Sequence, residues 1–158
     1  MEDSVIALRA IVAGDMDFLA EVYASTRADE LAVTGWAEEQ KAAFCRMQFD
    51  AQHAHYQKHY SGASFQVIER GGTSVGRLYV DRWAQEIRIV DIALMPGSRG
   101  QGIGTQLLRE LQREAQETGK VLSIHVERMN PALRLYERLG FRVREDKGVY
   151  LLMEWSGE

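Results

Sequence analysis

The sequence contains one cysteine, two prolines and no run of apolar residues near the ~18 that a membrane span needs. A lone cysteine, Cys45, rules out an internal disulfide and fits a reducing, cytoplasmic setting. As a residue of a helical segment, its thiol is expected to face the core rather than to carry an acyl group. The acidic first residues are unlike a signal peptide. With so little proline and 46% hydrophobic residues, disorder is not expected. Excess positive charge is also missing. The formal net charge is −4, which argues against a nucleic-acid binder whose affinity would rest on phosphate neutralisation. Arg134, Arg138, Arg142 and Arg144 cluster, but Glu137, Glu145 and Asp146 are interleaved with them, as on a mixed solvated face. His55 and His59 are one helical turn apart, a spacing that can hold zinc, yet no glutamate adjoins His55 and no third ligand stands out. A chain of 158 residues suits one domain, 1–158, with a sizeable core.

What is present centres on residues 86–111, EIRIVDIALMPGSRGQGIGTQLLREL. Ile87, Ile89, Val90 and Ile92 favour a strand, which Pro96 and Gly97 terminate. Three glycines spaced two apart, Gly100, Gly102 and Gly104, then lead into a helix with apolar positions Leu107, Leu108, Leu111 and Ala115. Bare glycines let an incoming group approach the main chain, and first-turn amides lack intrahelical partners. With the positive end of the helix dipole, this makes a seat for phosphate or pyrophosphate. No lysine lies between Lys58 and Lys120, so a nucleoside-triphosphate loop ending in Gly-Lys-Ser/Thr is excluded. The spacing also departs from Gly-x-Gly-x-x-Gly, and too little chain follows for a full dinucleotide fold.

Around this stretch, residues 5–11 read as a first strand. A helix with Asp15 as N-cap then carries Phe18, Leu19, Val22 and Tyr23 at helical spacing. A longer helix starts around Trp36, capped by Thr34, and runs to about Tyr60. Phe49, His53, Tyr56 and Tyr60 share one of its faces. Residues 65–69 and 75–80 form a hairpin across Arg70-Gly71-Gly72-Thr73, and a loop at 81–85 returns the chain into the strand that ends at Leu94. The helix after the glycines reaches about Thr118, with Gly119 at C′. Residues 121–126 form a strand parallel to the one before the loop, as a crossover unit requires. Asn130 and Pro131 open a short helix that Gly140 ends, and 141–144 pairs with 150–155 across Asp146-Lys147-Gly148.

The glycine stretch resembles motif A of the GCN5-related N-acetyltransferases (GNAT), Arg/Gln-x-x-Gly-x-Gly/Ala after a strand, with Arg99, Gly102 and Gly104 in the fixed places. Downstream, the run from Asn130 through Ala132, Leu135, Tyr136 and Gly140 to Phe141 resembles the family's Asn-x-x-Ala-x-x-Leu-Tyr-x-x-x-Gly-Phe. Asn130 stands two residues before Ala132, where the family usually has three. The resemblance spans essentially the whole chain and is strongest over 87–141. It implies a mixed α/β (α+β) fold: a central, twisted, mostly antiparallel sheet with one parallel strand pair around the cofactor, flanked by about four helices. It also implies an acetyl-coenzyme A-dependent N-acetyltransferase in which a neutral primary amine, on a small molecule, peptide or protein, attacks the thioester directly. A non-catalytic coenzyme A-binding or partner-binding module on the same scaffold is the alternative. Dimers are common in the family.

Carried over by position, main-chain groups of Ile92, Ala93 and Leu94 are implied to meet the pantetheine arm. Arg99, Gly100, Gln101, Gly102, Ile103, Gly104 and Thr105 are implied to hold the pyrophosphate, and Asn130 to approach the arm near the thiol. Tyr136 is implied to face the sulfur. For the base that neutralises the amine the candidates are Glu86, at the start of the central strand, and then His125, five residues before Asn130. Asp91 and Glu127 follow as weaker candidates.

Overall fold

The computed structural model describes residues 5–157, so the acidic opening of the chain lies outside the described residues. Seven strands and four α-helices follow in the order β1 (Ile6–Ala10), α1 (Met16–Ala32), α2 (Glu38–His59), β2 (Ser64–Arg70), β3 (Thr73–Arg82), β4 (Glu86–Leu94), α3 (Ile103–Thr118), β5 (Val121–Glu127), α4 (Leu133–Arg138), β6 (Arg142–Asp146) and β7 (Tyr150–Trp155). Strand order in the sheet is β1-β2-β3-β4-β5-β7-β6, and β4 runs parallel to β5. The mixed α/β architecture with one parallel pair is the one expected. No helix among the described residues is long and apolar enough to cross a membrane.

The chain divides into two units. One holds the residues up to Leu78 together with Ala93–Arg99, and the other holds Tyr79–Ile92 together with the residues from Gly100 on. In the first, β1 pairs antiparallel with β2 from Ile6↔Arg70 to Ala10↔Gln66. The glycines at 71 and 72 both have positive φ, which lets two residues turn the chain from β2 into β3. Helices α1 and α2 close a core of Leu19, Tyr23, Leu31, Cys45, Phe49 and Val67, each large side chain contributing roughly 1.5–3 kcal/mol on burial. Phe49 is fully buried, while His53, Tyr56 and Tyr60 continue its stripe half-buried.

Two caps differ from expectation. Asp15 sits at the N-cap of α1 but makes no side-chain cap there; its carboxylate accepts from the Val12 amide at 2.8 Å and is clamped by both terminal nitrogens of Arg9 at 2.8 Å. An arginine offering two charged donors outcompetes a helix amide for that carboxylate. Thr34 belongs to the end of α1, donating to the Leu31 carbonyl, and α2 starts only at Glu38, where Gln40 accepts from the Ala37 amide.

In the second unit β4 and β5 pair from Glu86↔Val121 to Ile89↔Ile124, and β5 pairs antiparallel with β7. Leu122, Ile124 and Val126 form the apolar face of β5. Helix α3 packs on β5 and buries Ile103, Leu107, Leu108, Leu111 and Ala115. Gly119 ends α3 in the left-handed region, with the Lys120 amide reaching back to the Ala115 carbonyl. Arg82 holds Glu114 of α3 through two hydrogen bonds. The outer strand β6 is exposed throughout, carries four charged residues and bulges between Val143 and Glu145, features that discourage pairing with another chain.

Candidate active site

The end of β4 and the turn after it are built by close backbone packing. An added Cβ at Gly76 would stand 2.3 Å from the Ala93 carbonyl oxygen and 3.1 Å from the Leu94 Cα, so only glycine fits there. The Met95 amide donates to the Val75 carbonyl at 2.8 Å, fixing the chain as it leaves the strand. Pro96 starts a short 3-10 turn, and Arg99 folds back to donate to the Leu94 carbonyl at 2.9 Å, with a longer contact to Ser25 at 3.3 Å. The guanidinium expected at the pyrophosphate is therefore bonded to the last carbonyl of β4 in this structure.

Gly102 is the N-cap of α3, with φ of 85°, a left-handed conformation that side chains rarely adopt. The Gln106 amide makes the bond back to Gly102, so the amides of Ile103, Gly104 and Thr105 precede any intrahelical acceptor. No side chain caps this end. The Ile103 side chain is buried and anchors the turn, leaving its amide as the group it can offer. A Cβ at Gly104 would meet nothing within 4 Å. Its glycine is thus not required by the protein's own packing, and the open space over a set of amides at a positive helix end fits a phosphate.

Tyr136, on α4, is 5% exposed and packs edge-on against Phe141 at 5.7 Å. Burial, together with the negative charge of Asp91 on β4, pushes its phenol well above the ordinary value, so it remains a hydrogen-bond donor. Asn130 precedes α4, but helical residues begin at Leu133 rather than at Pro131. The Asn130 side chain accepts from the Ala132 amide at 2.8 Å and its carbonyl from Leu133 at 3.0 Å. Asn130 thus holds a turn that the helix then extends, because its side chain satisfies an amide two residues on before any helical bond forms.

A second cluster lies where β4 meets β5. Glu86 accepts from the Ser123 hydroxyl and, at 3.0 Å, from Arg88. Arg88 Nε donates to Ser123 Oγ at 2.8 Å, and its guanidinium lies 4.9 Å over the Trp83 ring. Arg144 stands 3.7 Å from Glu86 while bonded to Glu154 at 2.7 Å. Burial alone would raise the Glu86 carboxyl, but the bonds from Ser123 and Arg88 and the charges of Arg88 and Arg144 hold it below its ordinary value. His125 stands one position beyond the last β4–β5 pair. Arg88 Nη1 is 3.4 Å from its Nδ1, and Lys147 Nζ is 3.2 Å from its Nε2. Burial and these two cations hold His125 below its ordinary value against the pull of Glu145 and Glu86, so the ring is neutral near pH 7.

The fold thus forms two groups of the expected residues, Tyr136 with Asp91 and Glu86 with His125. Strand alternation announces the split, since Asp91 lies on the opposite side of β4 from Glu86 and Arg88. Gly76, Arg88, Ser123 and Lys147 were not among the expected site residues. Their roles depend on which residues stand beside them on neighbouring strands, and spacing along one strand carries no such information.

A family model described as an acetyltransferase (GNAT) domain matches residues 61–143. Streptothricin acetyltransferase of Streptomyces lavendulae is 43% identical over 61 residues, covering 37% of this chain and 32% of that protein, so the match spans about a third of that relative's length. Among solved structures, the PaiA N-acetyltransferase of Thermoplasma acidophilum, in complex with coenzyme A, superposes with a TM-score of 0.72 at 20% identity, covering 96% of this chain and 99% of that one. An acetyltransferase of Thermus thermophilus superposes with a TM-score of 0.70 at 17% identity, covering 98% and 99%. At these identities the structural likeness concerns the fold.

Proposed function

The chain belongs to the GNAT acetyltransferase family, and from that premise we propose that residues 1–158 act as one acetyl-coenzyme A-dependent N-acetyltransferase with a primary amine as acceptor. The observation that carries this reading is the turn after β4: a left-handed Gly102, first-turn amides at 103–105 that precede any helical acceptor, and open space at Gly104. In this reading residues 99–105 hold the diphosphate of acetyl-coenzyme A, main-chain groups at 92–94 receive its pantetheine arm, and Asn130 approaches that arm near the sulfur. The bound co-substrate supplies an acetyl thioester; the rest of the chemistry falls to the protein.

In the reaction the amine nitrogen bonds to the thioester carbonyl carbon, the carbon–sulfur bond breaks, the nitrogen passes a proton to a base, and the sulfur leaves as a thiolate that takes its proton from solvent. A lysine-like ammonium, pKa near ~10.4, costs roughly 4–5 kcal/mol to neutralise at pH 7. His125 is our choice of proton acceptor. It is neutral near pH 7, whereas Glu86 is committed to Ser123 and Arg88. Glu86 and Ser123 then act as positioning residues that fix Arg88 beside the imidazole. Proton transfer from an ordinary phenol to an ordinary thiolate is already uphill by about 2 kcal/mol. The upward shift of Tyr136 enlarges that gap, so Tyr136 serves by donating a hydrogen bond to the sulfur rather than by giving up its proton.

Isothermal titration with acetyl-coenzyme A, followed by thiol release against polyamines, aminoglycosides, amino acids and peptide N-termini, tests the proposal. Binding followed by amine-dependent release is expected. Failure to bind acetyl-coenzyme A refutes the reading. Binding without release from any amine assigns the chain to the non-catalytic coenzyme A-binding class instead.

A further inference from the structure

His125 is flanked on both ring nitrogens by cationic donors, and a neutral imidazole can accept at only one of them. The shorter contact, 3.2 Å, is from Lys147 to Nε2. The two cations differ in their partners. Arg88 is neutralised by Glu86 at 3.0 Å, whereas among the described residues no carboxylate lies within ion-pair distance of Lys147. Its neighbour Asp146 is held by Arg128 at 2.5 Å and by the Gly148 amide at 2.9 Å. Glu145 lies on β6 across Leu152 from His125, where its charge raises the imidazole slightly without bonding Lys147.

The turn that carries Lys147 is firmly built. The Lys147 amide donates to the Tyr150 carbonyl at 2.9 Å, and Arg128 Nε donates to the Gly148 carbonyl at 3.1 Å. The Arg128 amide donates to the Val149 carbonyl, which brings the end of β5 against this turn. Met129 (88% exposed), Val149 (70%) and Tyr150 (45%) edge it. An ammonium with no carboxylate partner among the described residues thus adjoins the ring, beside an exposed apolar edge.

We propose that the acceptor carries a carboxylate close to its amine, on an apolar body, as in an apolar amino acid. This rests on the acetyl-transfer reading and names the substrate class of that site. The carboxylate draws the Lys147 ammonium off the ring, which frees the Nε2 lone pair for the amine proton as the carbon–nitrogen bond forms. The apolar body lies over Met129, Val149 and Tyr150. A polycationic acceptor meets the like charge of Lys147 and leaves Nε2 covered.

The test measures thiol release from acetyl-coenzyme A with matched acceptors, L-phenylalanine against phenethylamine and L-leucine against isoamylamine, with spermidine as the polycation. It uses the wild type, Lys147→Met and Lys147→Arg, and acetyl-coenzyme A binding by each variant reports its folding. The wild type is expected to prefer the carboxylate-bearing partner in kcat/KM. Lys147→Met should cut that preference about ten-fold or more, through a higher KM for the carboxylate-bearing acceptor and a higher kcat for the amine without one, and Lys147→Arg should keep most of it. Comparing that ratio between variants cancels the intrinsic basicity difference between the paired amines. Preference for spermidine or the decarboxylated amines, or a ratio untouched by Lys147→Met, overturns the proposal and leaves acetyl transfer standing. Acetyl-coenzyme A binding without thiol release from any amine overturns both.

Discussion

Replacing Gly76 by alanine sets a methyl carbon 2.3 Å from the Ala93 carbonyl oxygen and 3.1 Å from the Leu94 Cα. Both neighbours are main chain, so no rotamer change relieves the contact; the end of β4 has to move away from β3 by several tenths of an ångström or more. Such overpacking costs about 1–3 kcal/mol. The same movement stretches the nearby 2.8 Å bond from the Met95 amide to the Val75 carbonyl, worth about 1 kcal/mol. Alanine restricts the unfolded chain and returns about 0.4–1 kcal/mol. The net loss is about 1–3.6 kcal/mol, which in a chain of this size lowers Tm by roughly 2–14 °C. Urea denaturation supplies the free energy and a thermal scan the midpoint. Because the displaced segment is the one proposed to meet the pantetheine arm, the affinity for acetyl-coenzyme A should fall as well, measured by titration well below Tm. A loss under about 0.5 kcal/mol with unchanged binding would refute the close approach of β3 to the end of β4.

Gly104→Ala should separate stability from binding: its Cβ enters open space and the helix gains up to about 1 kcal/mol, while affinity for acetyl-coenzyme A drops; equal affinity would show that nothing approaches that position. Tyr136→Phe should lower kcat far more than it raises the KM for acetyl-coenzyme A, whereas equal changes in both would mark a binding residue. Because its phenol lies well above the ordinary value, spectrophotometric titration of the wild type should show the Tyr136 ionisation displaced to the alkaline side of that of exposed tyrosines; ionisation together with them would contradict its burial. Asp15→Asn should destabilise the protein at neutral pH. The Asp15 carboxyl is held down to about 2, mainly by its bonds from Arg9, so its contribution is complete above the unfolded value near ~4 and disappears as pH falls toward about 2. Acid unfolding curves of the two proteins should therefore converge below that pH; a constant gap would place the effect elsewhere.

The β4–turn–α3 unit was legible in the sequence because every signal in it is local: Pro96 and Gly97 stop the strand, glycines shape the turn, and Leu107, Leu108, Leu111 and Ala115 mark one helical face. The hairpin at Gly71 and Gly72 is legible for the same reason. The caps were less so. Asp15 is a good cap residue by type, yet Arg9 on the preceding strand claims its carboxylate; Thr34 serves the end of one helix rather than the start of the next. Gly76 looks like any strand glycine until the backbone of β4 is laid beside it. Alternation along β4 puts Glu86 and Arg88 on one side, but it does not say that Ser123 stands across from Arg88. That register, Arg88↔Ser123, follows from how the crossover through α3 delivers β5. Nor does local sequence indicate that the turn between β6 and β7 would bring Lys147 to His125.

Cys45 lies in the core of the first unit, 5% exposed, with its thiol pushed up mainly by burial. It is the chain's only sulfhydryl. A disulfide reagent or a maleimide added to the folded protein consequently finds almost no thiolate to attack. Colour that develops during turnover then reports the liberated carrier, and a slow stoichiometric signal in its absence reports the two long helices parting. The molecule carries a built-in blank for the assay of its own chemistry and, under denaturant, a one-atom probe of its unfolding.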